Sequence, residues 1–193
     1  MTQRILAEQI ATVATSHTTV PPDVRAMLHR VTLDAFGLML AARQTNYIEA
    51  LKASCLDQGA ATAFGHGSGF TVQDATLING TAVHGEDFDD TFEGTPVHVS
   101  SVIVPTMLAI AERENISRDR LINAMAQGSE LICRLALVAP TAIHRQGFHP
   151  TAILGAFGAS LTASIAYQLT PQQTASALGI VGSMASGIIE YLA

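Results

Sequence analysis

The chain has 193 residues, 48% of them hydrophobic and only 13% charged, with a formal net charge of −6. That length suffices for one domain with a sizeable core, and an acidic chain without a Lys/Arg cluster is a poor match for nucleic acid. A mean hydropathy of +0.31 is high for a soluble protein. It implies that much surface is covered by a partner subunit or by further chain.

The start, Met1-Thr-Gln-Arg-Ile into Glu8, has no long apolar run and is not a secretory signal. Pro21-Pro22 opens a predicted helix to about Ala41, with Val24, Met27, Leu28, Val31, Ala35, Leu38 and Met39 at the helical period. A second helix is predicted over Asn46–Gln58, stopped near Gly59. Ala60–Phe64 reads as a short extended segment. Gly65-His-Gly-Ser-Gly69 reads as a flexible turn with His66 solvated, and its glycines lack the spacing of a phosphate loop. A helix over Gln73 to about Asp90 is followed by a turn to His98 and by a helix over Ser100–Glu114 that Pro105 kinks or restarts. Ser117 caps the next, to about Leu137, on which Glu130 and Arg134 can pair at i,i+4. After a loop over Ala139–Gly147, Pro150 suits the first position of a helix ending near Leu169. Thr170-Pro-Gln-Gln173 is a capping box opening a last helical stretch that stops at Ile189-Glu-Tyr-Leu-Ala193. The fold class expected is all-α, in one unit over 1–193.

Cys55 and Cys133 match no metal or redox spacing and read as buried free thiols of a reducing, cytoplasmic compartment. Gln146–Ile189 contains no Asp, Glu, Lys or Arg, which raises a membrane hairpin as an alternative. The interruption at Thr170–Gln173 and the Ala, Gly, Ser and Thr content favour buried core helices, with no membrane partner.

Chemistry concentrates in Asn79-Gly-Thr-Ala-Val-His84-Gly-Glu-Asp87-Phe-Asp-Asp90-Thr91 and Val97-His98-Val-Ser-Ser101. On a helix, His84, Asp87 and Thr91 stand at i, i+3 and i+7 and share one face. An imidazole, a carboxylate and a hydroxyl there, with a second His downstream, form a potential acid/base set. Acidic residues at a helix end that face water fit the same pattern, and periodicity does not decide between the two.

These segments resemble the motif of the MmgE/PrpD family, in which Asn-Gly and a His lead into Asp-aromatic-Asp-Asp-Thr and then a His followed by small residues. Gly147-Phe-His149-Pro-Thr151, Ser186-Gly-Ile-Ile-Glu-Tyr191 and the Leu28–Leu40 run with Asp34 before Phe36-Gly37 resemble it too, so the likeness covers nearly the whole chain. The family includes 2-methylcitrate dehydratases, cis-aconitate decarboxylases and iminodisuccinate epimerases. The resemblance implies a small polycarboxylate substrate, proton transfer next to a carboxylate, and activity most like 2-methylcitrate dehydratase. It places His149, His98 and Asp87 as catalytic and Thr91 at the substrate; His84 is read as supporting Asp87. Arg145 lies near His149 in sequence and could supply positive charge. Asp89 and Asp90 read as helix-end or loop anchors.

His149 and His98 also each precede a predicted helix N-terminus, where free N–H groups favour an anion. From the residues alone, a histidine that merely caps the helix or bonds a backbone carbonyl is the favoured reading of those positions. Neither cofactor nor metal is expected: Asp87, Asp89, Asp90 and Glu93 lack the ligand spacing of a calcium loop. The resemblance further implies a longer protein, a helical domain with an inserted lid. The chain corresponds to the N-terminal part of that domain and stops before an active-site lysine. A homodimer or a complementary chain is the expected partner, and a non-catalytic fragment is the competing expectation.

Overall fold

Glycines and small residues let two long helices approach closely at the centre of the molecule. The computed structural model describes residues 5–189. Within them run α1 (Leu6–Ser16), α2 (Pro22–Ala42), α3 (Asn46–Ser54), β1 (Ala61–Ala63), β2 (Gly67–Phe70), α4 (Val72–His84), α5 (Ser100–Arg113), α6 (Arg118–Val138), α7 (Ala142–Arg145), α8 (Pro150–Ala166) and α9 (Pro171–Gly182). The fold is mainly α, as expected, with one small antiparallel hairpin of β1 and β2.

The most extensive contact is α6 on α8. At the crossing, a Cβ on Gly128 would lie 2.0 Å from Thr162 Oγ1 and 2.8 Å from Gly158 O. A Cβ on Gly158 would lie 2.3 Å from Ile132 Cγ1. Hydrogen in place of a side chain sets this spacing. α6 is, among the described residues, the one helix long and apolar enough to cross a membrane. Its Ile122, Met125, Leu131 and Ile132 are nevertheless buried against the other helices. α8 and α9, predicted from the uncharged stretch, have 17 and 12 residues.

Two apolar cores result. Leu28 and Met39 of α2, Ile48 of α3, Ile78 and Val83 of α4, Ile103 and Val104 of α5 and Ile132 of α6 form the larger. Ala14 of α1, Ile110, Leu131, Leu161, Ile165 and Leu178 of α9 form the second. α2 buries the face carrying Leu28, Ala35, Met39 and Ala42, whereas Val24 and Met27, predicted on that face, are exposed. The hairpin docks through Asn79, whose Oδ1 accepts from Phe64 N at 2.8 Å and whose Nδ2 donates to Thr62 O at 3.0 Å. Phe36 of α2 stacks on Phe64, with centroids 4.6 Å apart.

Several expectations need correction. The fourth helix ends at His84 rather than near Asp90, because Gly85 closes it and Asp87 adopts a φ of 57°. That left-handed conformation cannot continue a helix. α1 was not predicted, the Ala139–Gly147 loop contains α7, and the presumed turn at Gly65–Gly69 is half strand. His66 is half-buried rather than solvated, and burial holds its pKa low. Pro105 lies inside a continuous α5. The chain after Gly182 leaves the helix and returns to α8, with Phe148 and Ile188 forming an antiparallel bridge. Glu190 and Tyr191 of the last motif lie outside the described residues. The capping box is formed: Gln173 N donates to Thr170 Oγ1 and Thr170 N to Gln173 Oε1. Arg134 also pairs with Glu130, at 2.6 Å. Cys55 and Cys133 are free and half-buried, and burial pushes the Cys133 thiol up to about 11.

Candidate functional site

Three elements deliver three imidazoles to one place. His84 is the last residue of α4, His98 stands just before α5, and His149 is the N-cap of α8. The ring of His84 lies 4.8 Å from that of His98 and 5.2 Å from that of His149, near-parallel to the latter. All three line a cleft of about 1070 Å³, which also takes in Thr81, Asp87, Ser101, His144, Thr151 and Ile189.

Asp89 lies beneath the imidazoles, its side chain wholly buried. His84 Nδ1 is 3.0 Å from Asp89 Oδ2, and His98 Nδ1 is 3.1 Å from Oδ1, as an ion-pair contact off the line of an ideal hydrogen bond. Burial alone would raise this carboxyl, but the contacts with His84 and His98 outweigh it and hold it far below the ordinary carboxylate range. His98 is shifted upward, first by its bond to Asp89 and against its own burial, with Asp87 adding at 3.4 Å from Nε2. His149 is shifted downward, by burial first and then by the neighbouring His84 and His98. Its Nε2 is 3.3 Å from His84 Nε2. The two histidines singled out in the sequence are thus displaced in opposite directions on one cleft, a pattern that separates an acid from a base.

The backbone around each is fixed. His98 N donates to Thr151 Oγ1 at 3.0 Å, and Ser101 Oγ donates to His98 O. His149 N donates to Gly187 O, and Ile189 N to Gly147 O. Gly187 holds a φ of 143°, and a Cβ there would meet Ala152 Cβ at 2.7 Å. Both features require glycine.

Of the residues expected at the site, His84, His98, His149 and Asp87 are brought together. Asp87 is largely exposed, at the rim, and its carboxylate lies 3.4 Å from His98 Nε2. Thr91 is exposed in the loop after Asp90 and does not line the cleft, because the helix that would have aligned it with His84 has already ended. Arg145 is exposed in α7 and lines a separate cavity of about 430 Å³ that shares Pro96 and His144 with the cleft. Among the described residues no Lys or Arg lines the cleft. Asp90 anchors the loop, accepting from Ser100 N at 2.8 Å.

Asp89, read from the sequence as a helix-end or loop anchor, instead contacts His84 and His98 within the site. A carboxylate five positions after a helix-final His was the available signal, hidden while the helix was drawn through it. His84, Asp87, Asp89 and His98 could present one ligand atom each to a cation, all within 4.8 Å of one another. Imidazole–carboxylate pairing accounts for the same arrangement without an ion.

A mainly α-helical domain with an imidazole–carboxylate cluster on an open cleft defines the class. The chain belongs to the MmgE/PrpD family, matching the MmgE/PrpD N-terminal domain over residues 4–193. It is similar to a cis-aconitate decarboxylase-like protein of Aspergillus oryzae, 25% identical over 182 residues covering 88% of this chain and 38% of the relative. It is also similar to the cis-aconitate decarboxylase of Homo sapiens, 33% identical over 58% of this chain and 24% of that protein. The Mus musculus enzyme of the same name is 32% identical over 60% of this chain and 24% of its own length. The chain therefore spans well under half the length of the curated relatives it matches.

Proposed function

We propose that this chain carries the acid–base half of a lyase site that acts on a small polycarboxylate next to one of its carboxylates. One observation carries the reading: His98 and His149 face one cleft with their pKa values displaced apart. His98, the more readily protonated, serves as proton donor, and His149, the less readily protonated, as base. The names of the relatives make cis-aconitate the first substrate to test. In its decarboxylation the bond to the departing carboxylate breaks, its electron pair stays on the carbon skeleton, and His98 delivers a proton to carbon.

The same two groups also suit dehydration of a 2-methylcitrate-like substrate. His149 would take the C–H proton, the C–H pair would form the double bond, and hydroxide would leave with the proton of His98. Epimerisation of iminodisuccinate uses the same two groups. None of these steps requires a metal or cofactor.

The cleft lacks a cation among the described residues, although a polycarboxylate needs several donors to hold it. We propose that residues outside this chain segment, or a second subunit, supply the positive charge in a cytoplasmic dimer. The test is turnover of cis-aconitate, 2-methylcitrate and iminodisuccinate by the native-length protein, with His98→Ala and His149→Ala alongside. Turnover lost in both variants with unchanged melting is the expected result. Turnover retained in His149→Ala, or no turnover of any substrate by the unsubstituted protein, would refute the reading.

A further inference from the structure

We infer that Asp89 and His84 are positioning residues: a chain of contacts that fixes which ring nitrogen His98 turns to the cleft and whether His149 Nε2 donates or accepts. The inference rests on the acid–base reading of the cleft and adds to it two residues that do not themselves meet the substrate.

An ionised carboxylate only accepts hydrogen bonds. With no exposure to water, the two oxygens of Asp89 take their protons from protein, and the side-chain nitrogens that contact them are His84 Nδ1 at 3.0 Å and His98 Nδ1 at 3.1 Å, the latter off the ideal hydrogen-bond line. Both Nδ1 atoms therefore carry hydrogen. For His98 this leaves Nε2 as the nitrogen at the cleft, beside Asp87 Oδ1. Its main chain is pinned at both N–H and C=O by Thr151 and Ser101, so the ring has little freedom to present Nδ1 instead.

For His84 the consequence passes one step further. With Nδ1 committed to Asp89, its Nε2 is the atom 3.3 Å from His149 Nε2. Two nitrogens at that distance share one proton, so the state of His84 decides whether His149 Nε2 donates or accepts. Asp89 thus reaches His149 through His84 and His98 directly. The carboxylate need not be protonated at any point; it sets tautomers, as the Asp of a Ser-His-Asp triad does.

The alternative is a purely structural carboxylate that fastens the loop Gly85–Val99 to α4. Both roles predict that Asp89→Ala destabilises the protein, so stability does not separate them. Ring tautomers do. In native-length protein with 15N-labelled histidines, ring 15N shifts report which nitrogen carries hydrogen. The inference expects protonated Nδ1 on His84 and His98 at neutral pH. In Asp89→Asn, whose amide has a single acceptor oxygen and donates from nitrogen, at least one of the two rings should lose that state. Loss of kcat by on the order of 10²–10⁴-fold, with KM little changed, should accompany it, since the same change in a Ser-His-Asp triad costs about 10⁴.

Unprotonated Nδ1 on both rings in the unsubstituted protein would overturn the inference, as would an Asp89→Asn variant with unchanged ring shifts and kcat. If Asp89→Asn does not fold, the unsubstituted spectrum and that of His84→Gln still decide. In the latter the His149 ring signals must move while His98 keeps Nδ1 protonated. Because the spectra need no turnover, failure here is distinguishable from failure of the lyase reading, which the substrate assays test.

Discussion

His98 and His149 lie on the same cleft yet respond to pH with opposite sign. For His98 the folded pKa is raised, so its contribution to stability is complete below the unfolded value of about 6.5 and is lost as pH climbs through the folded value. For His149 the folded pKa is lowered, so the native state resists a proton that the unfolded chain accepts. Stability falls as pH drops below about 6.5. The Asp89 contribution, from a depressed carboxyl, is present above the unfolded value of about 3.9 and lost only in strong acid. Denaturation midpoints over a pH series should therefore show His149→Phe flattening the limb below about pH 6.5, and Asp89→Asn flattening the limb above it. Thr151 gives a second expectation. Thr151→Val keeps the shape but removes the acceptor of His98 N–H, leaving a buried donor unpaired at a cost of about 1–3 kcal/mol. Thr151→Ser should restore most of it in the same melts. His98 and His149 were visible in the sequence because both fall on positions of the family motif, each just before a helix start. Asp89 stayed hidden because the predicted helix ran on through it to Asp90, whereas α4 ends at His84 and the following loop turns Asp89 inside.

Among the elements, the α6–α8 crossing is the least tolerant of change. Gly158→Ala would push a methyl into Ile132 and towards Gly128 O, overpacking that should cost about 1–3 kcal/mol. Thr170→Ala, which removes the cap of α9, costs about 0.5–2 kcal/mol and leaves the cleft untouched. Parallel urea titrations of the two variants should show the crossing variant also perturbing His149, which α8 carries, through a change in its ring signals. A cap variant that altered those signals equally would contradict this. Helix positions were largely readable, since proline at N1 and the capping box are local signals. Ends set by tertiary contacts were not. α4 closes at His84 because Gly85 lies against the ring of Tyr47 and Asp87 turns left-handed. The stretch after Gly182 leaves the helix to pair beside Phe148.

At the scale of the molecule, the high apolar content predicted a surface awaiting cover, and the structure exposes Leu33, Leu56, Phe88, Val138, Ile180 and Met184 extensively. Their cover is not supplied within the described residues. We expect residues 1–193 made alone to bind a dye specific for exposed apolar surface far more than the native-length protein does. Cis-aconitate should bind the segment at least about tenfold less tightly by calorimetry, reflecting a lost charge-assisted contact of roughly 1.5–3 kcal/mol. Equal affinity would mean that the cleft needs no outside cation. The family was legible from four short motifs. The missing positive charge was legible too, since the uncharged run from Gln146 to Ile189 offers none to the cleft wall it builds.

The return of residues 187–189 to the start of α8 orders events in time. As the chain leaves the ribosome, α4, the loop with Asp89, and His98 emerge together and can join early. The backbone clamp on His149 is made by residues synthesised only after α9. A nascent chain stalled before Gly187 would hold His84 and His98 in place but lack the Gly187 contact that fixes the His149 backbone. The backbone that seats His149 is thus completed only after the whole of α8 and α9 has been made.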